Sequence, residues 1–184
     1  MEIRQATIDD ALFVAKGVIM ALHRDPDEEN IELIANICRR EDVLYSYRHT
    51  LIAFVDDIPV GLCLCYDGKG YHETRIRTFK LFEQDPDIDK SDEMDFEHFE
   101  DETHEGEYYI DSLAVLPEYR NRGIAKELML AQMKKGSEMG LPVATLLVDP
   151  ENPNAQSLYS KLGFEYQEDI YAFGQIFWKL SKKL

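Results

Sequence analysis

The sequence predicts a single mixed α/β domain, and three observations carry that reading. Apolar stretches with strand character alternate with stretches of helical spacing along most of the chain. Val143 to Val148 is a near-continuous apolar run, as a strand covered on both faces requires. Turn and stop signals, among them Asp56-Asp57, Gly140-Leu141-Pro142, Gly163 and Gly174, separate the elements at short intervals.

Taken in order, Ile3 to Ala6 reads as a short strand, and Thr7-Ile8-Asp9-Asp10 has the spacing of a capping residue followed by an acid three positions on. A first helix then runs to about Leu22. A second is predicted over Glu28 to Arg40, where Ile31, Ile34, Ala35 and Cys38 recur at helical spacing. Thr50 to Val55 and Pro59 to Tyr66 are strands joined by the tight Asp56-Asp57 turn. Tyr108 to Leu116 is the next strand, and Gly123 to about Met139 a central helix with Ile124, Leu128 and Ala131 on one face. Gly140-Leu141-Pro142 stops that helix. After the strand Val143 to Val148, a helix over Asn154 to Leu162 closes at Gly163, and Phe164 to Leu180 supplies two strands around Gly174.

At 184 residues and 45% hydrophobic content, the chain buries one core, so residues 1–184 are expected to form one domain. The N-terminus carries Glu2, Arg4, Asp9 and Asp10 without a long apolar run, so neither a secretory signal nor a membrane span is expected. Three cysteines, Cys38, Cys63 and Cys65, are too few for a disulfide framework and fit a reducing, cytoplasmic setting. Cys63 and Cys65 alternate with Leu62 and Leu64 and read as packed thiols. The formal charge of −16 argues against nucleic acid and anionic membranes as partners and favours cationic substrates.

The chemistry-bearing stretch runs from Tyr108 to Lys126. A strand ending Leu113-Ala114-Val115 leads through Leu116-Pro117-Glu118-Tyr119 into Arg120-Asn121-Arg122-Gly123-Ile124-Ala125-Lys126 and a helix. The first turn of that helix leaves backbone N–H groups without intrahelical partners at the positive end of the helix dipole, and an anion belongs there. Gly123 admits close backbone approach, while Arg120, Arg122 and Lys126 add positive charge. The Lys-Ser/Thr pair of a nucleotide-binding P-loop does not follow.

A second segment, Asn152-Pro153-Asn154-Ala155-Gln156-Ser157-Leu158-Tyr159-Ser160-Lys161-Leu162-Gly163-Phe164, stands about thirty residues downstream. Together the two segments resemble the Gcn5-related N-acetyltransferase (GNAT) superfamily. Its pyrophosphate-binding pattern Arg/Gln-x-x-Gly-x-Gly/Ala is matched by Arg120, Gly123 and Ala125. Its later pattern Asn-x-x-Ala-x-x-Leu-Tyr-x-x-x-Gly-Phe is matched by Asn152, Ala155, Leu158, Tyr159, Gly163 and Phe164. The resemblance covers most of the chain and fails at an insert of approximately residues 67–107.

The resemblance implies the acyl-CoA N-acyltransferase fold and transfer of acetyl from acetyl-CoA to an amine, without a metal. It places the cosubstrate on Leu113, Ala114, Val115, residues Arg120 to Lys126, Asn152, Asn154 and Ala155. The strands carrying Leu113 and Val148 are expected to diverge and admit the pantetheine arm between them. Tyr159 is implied as the hydrogen-bond donor to the departing thiolate; read without the family, it is a packed helix tyrosine. An alkyl ammonium near pKa ~10.4 must lose its proton before attack, at a cost of about 4 to 5 kcal/mol at pH 7. Asp111 is the candidate base, on the face of Leu113 unless a bulge intervenes, with Tyr109 sharing that face. Asp111 reads equally as a salt-bridged strand residue. Asp149 and Glu151 are alternatives acting through water.

Within the insert, twelve acids from Asp85 to Glu107 stand against the single cation Lys90. They read either as a solvated loop or as a lid that favours a polycationic amine. Tyr71, Ile76, Phe79 and Phe82 predict a folded first half, and Met94, Phe96 and Phe99 offer anchors for the second. His98 and His104 match no tight ligand spacing, so no metal site is expected. A small-molecule amine is therefore the expected partner. A peptide or protein amine and a catalytically silent acyl-CoA-sensing module are the alternatives. The tail residues Tyr171, Phe173, Phe177 and Trp178 read as core or as an edge open to homodimerisation.

Overall fold

The computed structural model describes residues 1–22, 28–83 and 100–184. Its seven strands are β1 (Glu2–Gln5), β2 (Thr50–Val55), β3 (Ile58–Asp67), β4 (Glu107–Val115), β5 (Val143–Val148), β6 (Glu165–Ala172) and β7 (Gln175–Lys183). They form one sheet in the order β1-β2-β3-β4-β5-β7-β6. Five α-helices accompany it: α1 (Ala11–Ala21), α2 (Glu28–Cys38), α3 (Tyr71–Glu83), α4 (Ile124–Glu138) and α5 (Pro153–Lys161). The predicted mixed α/β class holds, and each predicted element is present, with end shifts of at most three residues and none for Thr50–Val55 and Val143–Val148.

Local chemistry explains the main boundaries. The Asp10 carboxylate accepts from the Thr7 N–H at 2.8 Å and from Arg4 at 2.7 Å, so the expected acid three positions after Thr7 starts the first helical segment. Asp56 and Asp57 both take positive φ, 51° and 63°, the backbone twist that a two-residue hairpin demands. The insert's first half folds as α3, whose Phe79 and Phe82 rings pack edgewise against Tyr45. Asp85, Lys90, Met94, Phe96, His98 and Phe99 lie outside the described residues.

Two cores lie on opposite faces of the sheet. Under α4 and α5, Tyr108, Ile110, Leu128, Met129, Leu146, Tyr159 and Phe164 are buried together. Under α1 and α2, Val14, Val18, Ala35, Leu62, Leu64, Tyr66 and Tyr109 form the second. Buried Gln132 ties α4 to the sheet, accepting from the Tyr108 hydroxyl at 2.7 Å and donating to the Cys63 carbonyl at 2.6 Å. Cys38, Cys63 and Cys65 are free and buried, and the Cys63 and Cys65 sulfurs lie 3.6 Å apart as packed thiols. The aromatic tail divides: Trp178 packs against the core, whereas Tyr171 and Phe173 are exposed on and beside the edge strand β6.

The feature that positions the site is the opening between β4 and β5. These parallel strands pair only from Glu107↔Val143 to Ile110↔Leu146. Beyond Ile110 they separate, so Leu113, Ala114 and Val115 have no partner on the β5 side. At the same point the β3–β4 register slips, with Leu64 opposite Ser112 and Cys65 opposite Ile110, which leaves Asp111 as the extra residue of a β-bulge.

Candidate active site

The bulge corrects one expectation. Asp111 does not share a face with Leu113. Leu113 packs into the core beneath α4, whereas Asp111 accepts from the Tyr66 hydroxyl, which belongs to the core beneath α1. An extra residue inverts the side-chain alternation beyond it, and that inversion separates the two. Tyr109, before the slip, stays on the Asp111 face as expected: its ring lies 5.7 Å from that of Tyr66.

The salt-bridge reading of Asp111 is also set aside. Its carboxyl accepts from the Tyr66 hydroxyl at 2.6 Å and the Ser112 hydroxyl at 2.7 Å, and no described cation pairs with it. Burial raises its pKa, and the two hydroxyl donors offset part of that rise. A second carboxyl stands nearby. Glu102 accepts from Tyr71 at 2.8 Å and from Tyr109 at 2.5 Å, and its pKa is raised by burial first and then by the charge of Asp111. Tyr66, Tyr71 and Tyr109 pack around the two acids with ring centroids 5.7 to 6.3 Å apart. A cleft of about 400 Å³ has Tyr66, Tyr71, Leu44 and His49 in its wall.

Glu102, Tyr66 and Tyr71 were invisible as site residues in the sequence. Glu102 stood as one acid among twelve, and a period of two cannot mark which strand tyrosine will meet a carboxylate from elsewhere. The one available signal was three phenols on or beside otherwise apolar strands, since buried hydroxyls need partners.

At the far end of β4 lies the turn expected to cradle an anion. Asn121 and Gly123 both adopt left-handed backbone, with φ of 60° and 81°, and Gly123 is the N-cap of α4. A Cβ at Gly123 would meet nothing within 4 Å, so glycine answers a conformational demand there rather than a shortage of space. No side chain caps the helix start, which leaves the first-turn N–H groups to an external acceptor. Arg120 donates its Nε to the Val115 carbonyl at 3.0 Å, linking the cradle to the unpaired end of β4. Arg122 stacks over Tyr119 at 5.1 Å, and Lys126 is exposed on the first turn. Ile124 and Ala125 turn their side chains to the core, so only their backbone serves the cradle.

The later motif is split in its duties. Asn152 caps α5, its Oδ1 accepting from the Ala155 N–H at 3.1 Å, and Asn154 is exposed beside it. Asp149 accepts from the Glu151 N–H at 2.7 Å and so serves the turn before α5, while Glu151 is exposed. Tyr159 is buried against Phe164, 6.0 Å between ring centroids, in the same core as Leu113 and Val148. Its hydroxyl has no hydrogen-bond partner among the described residues, and burial raises its pKa.

Residues 18–164 match the family model described as Acetyltransferase (GNAT) family. The chain belongs to that family. A crystal structure of an N-acetyltransferase from Staphylococcus aureus Mu50 superposes with a TM-score of 0.80 at 24% identity, covering 99% of this GNAT chain and 100% of that one. The paia N-acetyltransferase from Thermoplasma acidophilum, solved in complex with coenzyme A, superposes at 0.58 with 19% identity over 100% and 98% of the two chains. Both show the shared fold. In sequence, the N-alpha-acetyltransferase MAK3 of Arabidopsis thaliana is 38% identical over 65 residues, 35% of this chain and 34% of that protein. Aminoglycoside N(6')-acetyltransferase type 1 of Salmonella typhimurium is 34% identical over 62 residues, 34% of this chain and 43% of that enzyme. The match thus spans between about a third and under half of the length of these two curated relatives.

Proposed function

We propose that this GNAT chain is an acetyl-CoA-dependent N-acetyltransferase acting on a primary amine of a small cationic molecule. The observation that carries this reading is the gap between β4 and β5, which opens at the bulge presenting Asp111 and ends at the Gly123 cradle. The uncapped first turn of α4 and the adjacent Arg120 and Arg122 fit a pyrophosphate, and the unpaired Leu113-Ala114-Val115 segment offers backbone groups to an extended amide-bearing arm. Acetyl-CoA, when bound, supplies an activated acyl group as its thioester.

The chain's own residues supply the rest. Asp111, raised above the ordinary carboxylate range by burial, is a stronger base than an exposed aspartate and takes the proton that the ammonium must lose. Tyr66 and Ser112 hold its two oxygens in place. Tyr159 keeps its phenol proton, and its unpartnered hydroxyl serves as a donor to the departing sulfur. The cleft walled by Tyr66 and Tyr71 has room for a small amine, and the net charge of −16 favours a cationic one. Three free, buried thiols support a cytoplasmic setting.

The test is release of free CoA thiol from acetyl-CoA across a panel of amines, with Cys38, Cys63 and Cys65 subtracted. Amine-dependent turnover supports the transferase. Tight acetyl-CoA binding without turnover on any amine replaces it with a sensing module.

A further inference from the structure

The cleft beside Tyr66 extends to the end of the sheet opposite the Gly123 turn. Tyr108 in its wall stands near the start of β4, and Lys135 in the last turn of α4. Lys135 lies twelve positions beyond Gly123, about 18 Å away at 1.5 Å per helical residue. An anion held there is a different one from the pyrophosphate of acetyl-CoA.

In a chain whose net charge is −16, this wall gathers Arg48, Lys69, Arg77 and Lys135. Two of them are matched: Arg48 meets Glu41 at 2.6 Å, and Lys69 meets Glu105 at 3.3 Å. Lys135 is not. It is half-buried, its Nζ donates to the neutral Gln5 amide oxygen at 2.8 Å, and no carboxylate among the described residues pairs with it. Burial lowers its pKa, and its charge is felt at His49 in the same wall, where it adds to burial in lowering the imidazole pKa. Exposed Arg77, on α3, donates to the Asp42 carbonyl at 2.9 Å. The Asp42 carboxylate lies in the field of Arg77 but is held by Arg40 through two contacts of 3.1 Å. The remaining acid of the wall, Asp67, accepts from the Lys69 N–H at 2.9 Å and fixes the turn after β3.

We propose that this cleft binds a small oxyanion, a phosphate or carboxylate group, between Lys135 and Arg77. Both side chains now donate only to neutral oxygens, and an anionic acceptor forms hydrogen bonds roughly twice as strong. The planar fork of Arg77 suits two oxygens of one such group, while Lys135 adds a point charge. The cleft, of about 400 Å³, is larger than a phosphate ion needs, so an organic body fits beside the anion against Tyr66 and Tyr71. The oxyanion is either a free ion or a group carried by an amine-bearing ligand.

Calorimetric titration of the CoA-saturated protein with inorganic phosphate, at an ionic strength held constant with chloride, tests the proposal while CoA occupies the Gly123 turn. Phosphate is expected to bind with a Kd of about 1 mM or tighter. K135M is expected to weaken that binding about tenfold, and R77M severalfold. R77M, at an exposed position, carries the test alone should K135M lose the thermal transition of the native protein. Phosphoethanolamine separates the two sources of the anion. Binding about tenfold tighter than both phosphate and ethanolamine upholds the site with the anion on an amine-bearing ligand. Binding no tighter than phosphate upholds it for the free ion. Absence of phosphate binding up to about 20 mM, or an affinity unmoved by substitution of either residue in a folded protein, overturns the proposal.

Discussion

The Tyr66 hydroxyl donates to Asp111 at 2.6 Å beside the β-bulge of β4, joining a buried carboxyl to a residue in the wall of the cleft. That contact makes Asp111 a member of a hydrogen-bonded tyrosine cluster rather than an ion pair, with consequences for both rate and stability.

Asp111→Asn is expected to lower kcat/KM by about 10² to 10⁴ without lowering the thermal midpoint at pH 7. Because burial raises the Asp111 pKa, the ionised, active form is lost as pH falls through that raised value, so the acidic limb of kcat/KM lies above the ordinary ~3.9. The stability sign runs the other way. A carboxyl with a raised folded pKa contributes stability that is present at low pH and lost as pH rises through that pKa. Retained activity in the Asn variant would assign the proton to another group.

Tyr159→Phe is expected to cut turnover by up to about a hundredfold while acetyl-CoA affinity, measured by titration, stays within about twofold. The hydroxyl has no described partner to lose, so the variant leaves the packing against Phe164 intact. Unchanged turnover removes Tyr159 from the mechanism.

Gly123→Ala tests the cradle. The left-handed φ of 81° costs a side-chain-bearing residue about 1 to 2 kcal/mol, which either strains the helix start or rotates its N–H groups away. The KM for acetyl-CoA is expected to rise by about tenfold, with the amine KM unmoved. A rise confined to the amine would place the cradle elsewhere.

Lys179→Met tests the clasp on the insert's last residues. The Lys179 side chain is 3% exposed and meets Glu107 at 3.0 Å, so its loss leaves a half-buried carboxylate held only by neutral donors from Thr103, Thr145 and the His104 N–H, and is expected to cost about 1 to 3 kcal/mol. The double variant with Glu107→Gln is expected to recover part of that loss in denaturant melts. If the single variant unfolds at the native midpoint, the pair contributes nothing.

The amino-acid sequence by itself determined the element order, the strand ends to within three residues, the Gly123 helix start and the membership in an acetyl-transferring family. These rest on local rules: periodicity, turn residues and a backbone conformation that glycine alone adopts freely. The sequence also marked Asp111 and Tyr159, because each sits inside or close to a motif. Tertiary structure alone decided what surrounds them. A one-residue slip between β3 and β4 moved Asp111 to the face opposite Leu113, and no pattern in either strand announces a slip, since it depends on how the two strands meet. Glu102 met Tyr71, thirty-one positions away, through the fold of the insert around α3. Side chains distant in sequence share a site only once the sheet and its crossovers have closed, and the burial that raises the pKa of both carboxyls exists only then.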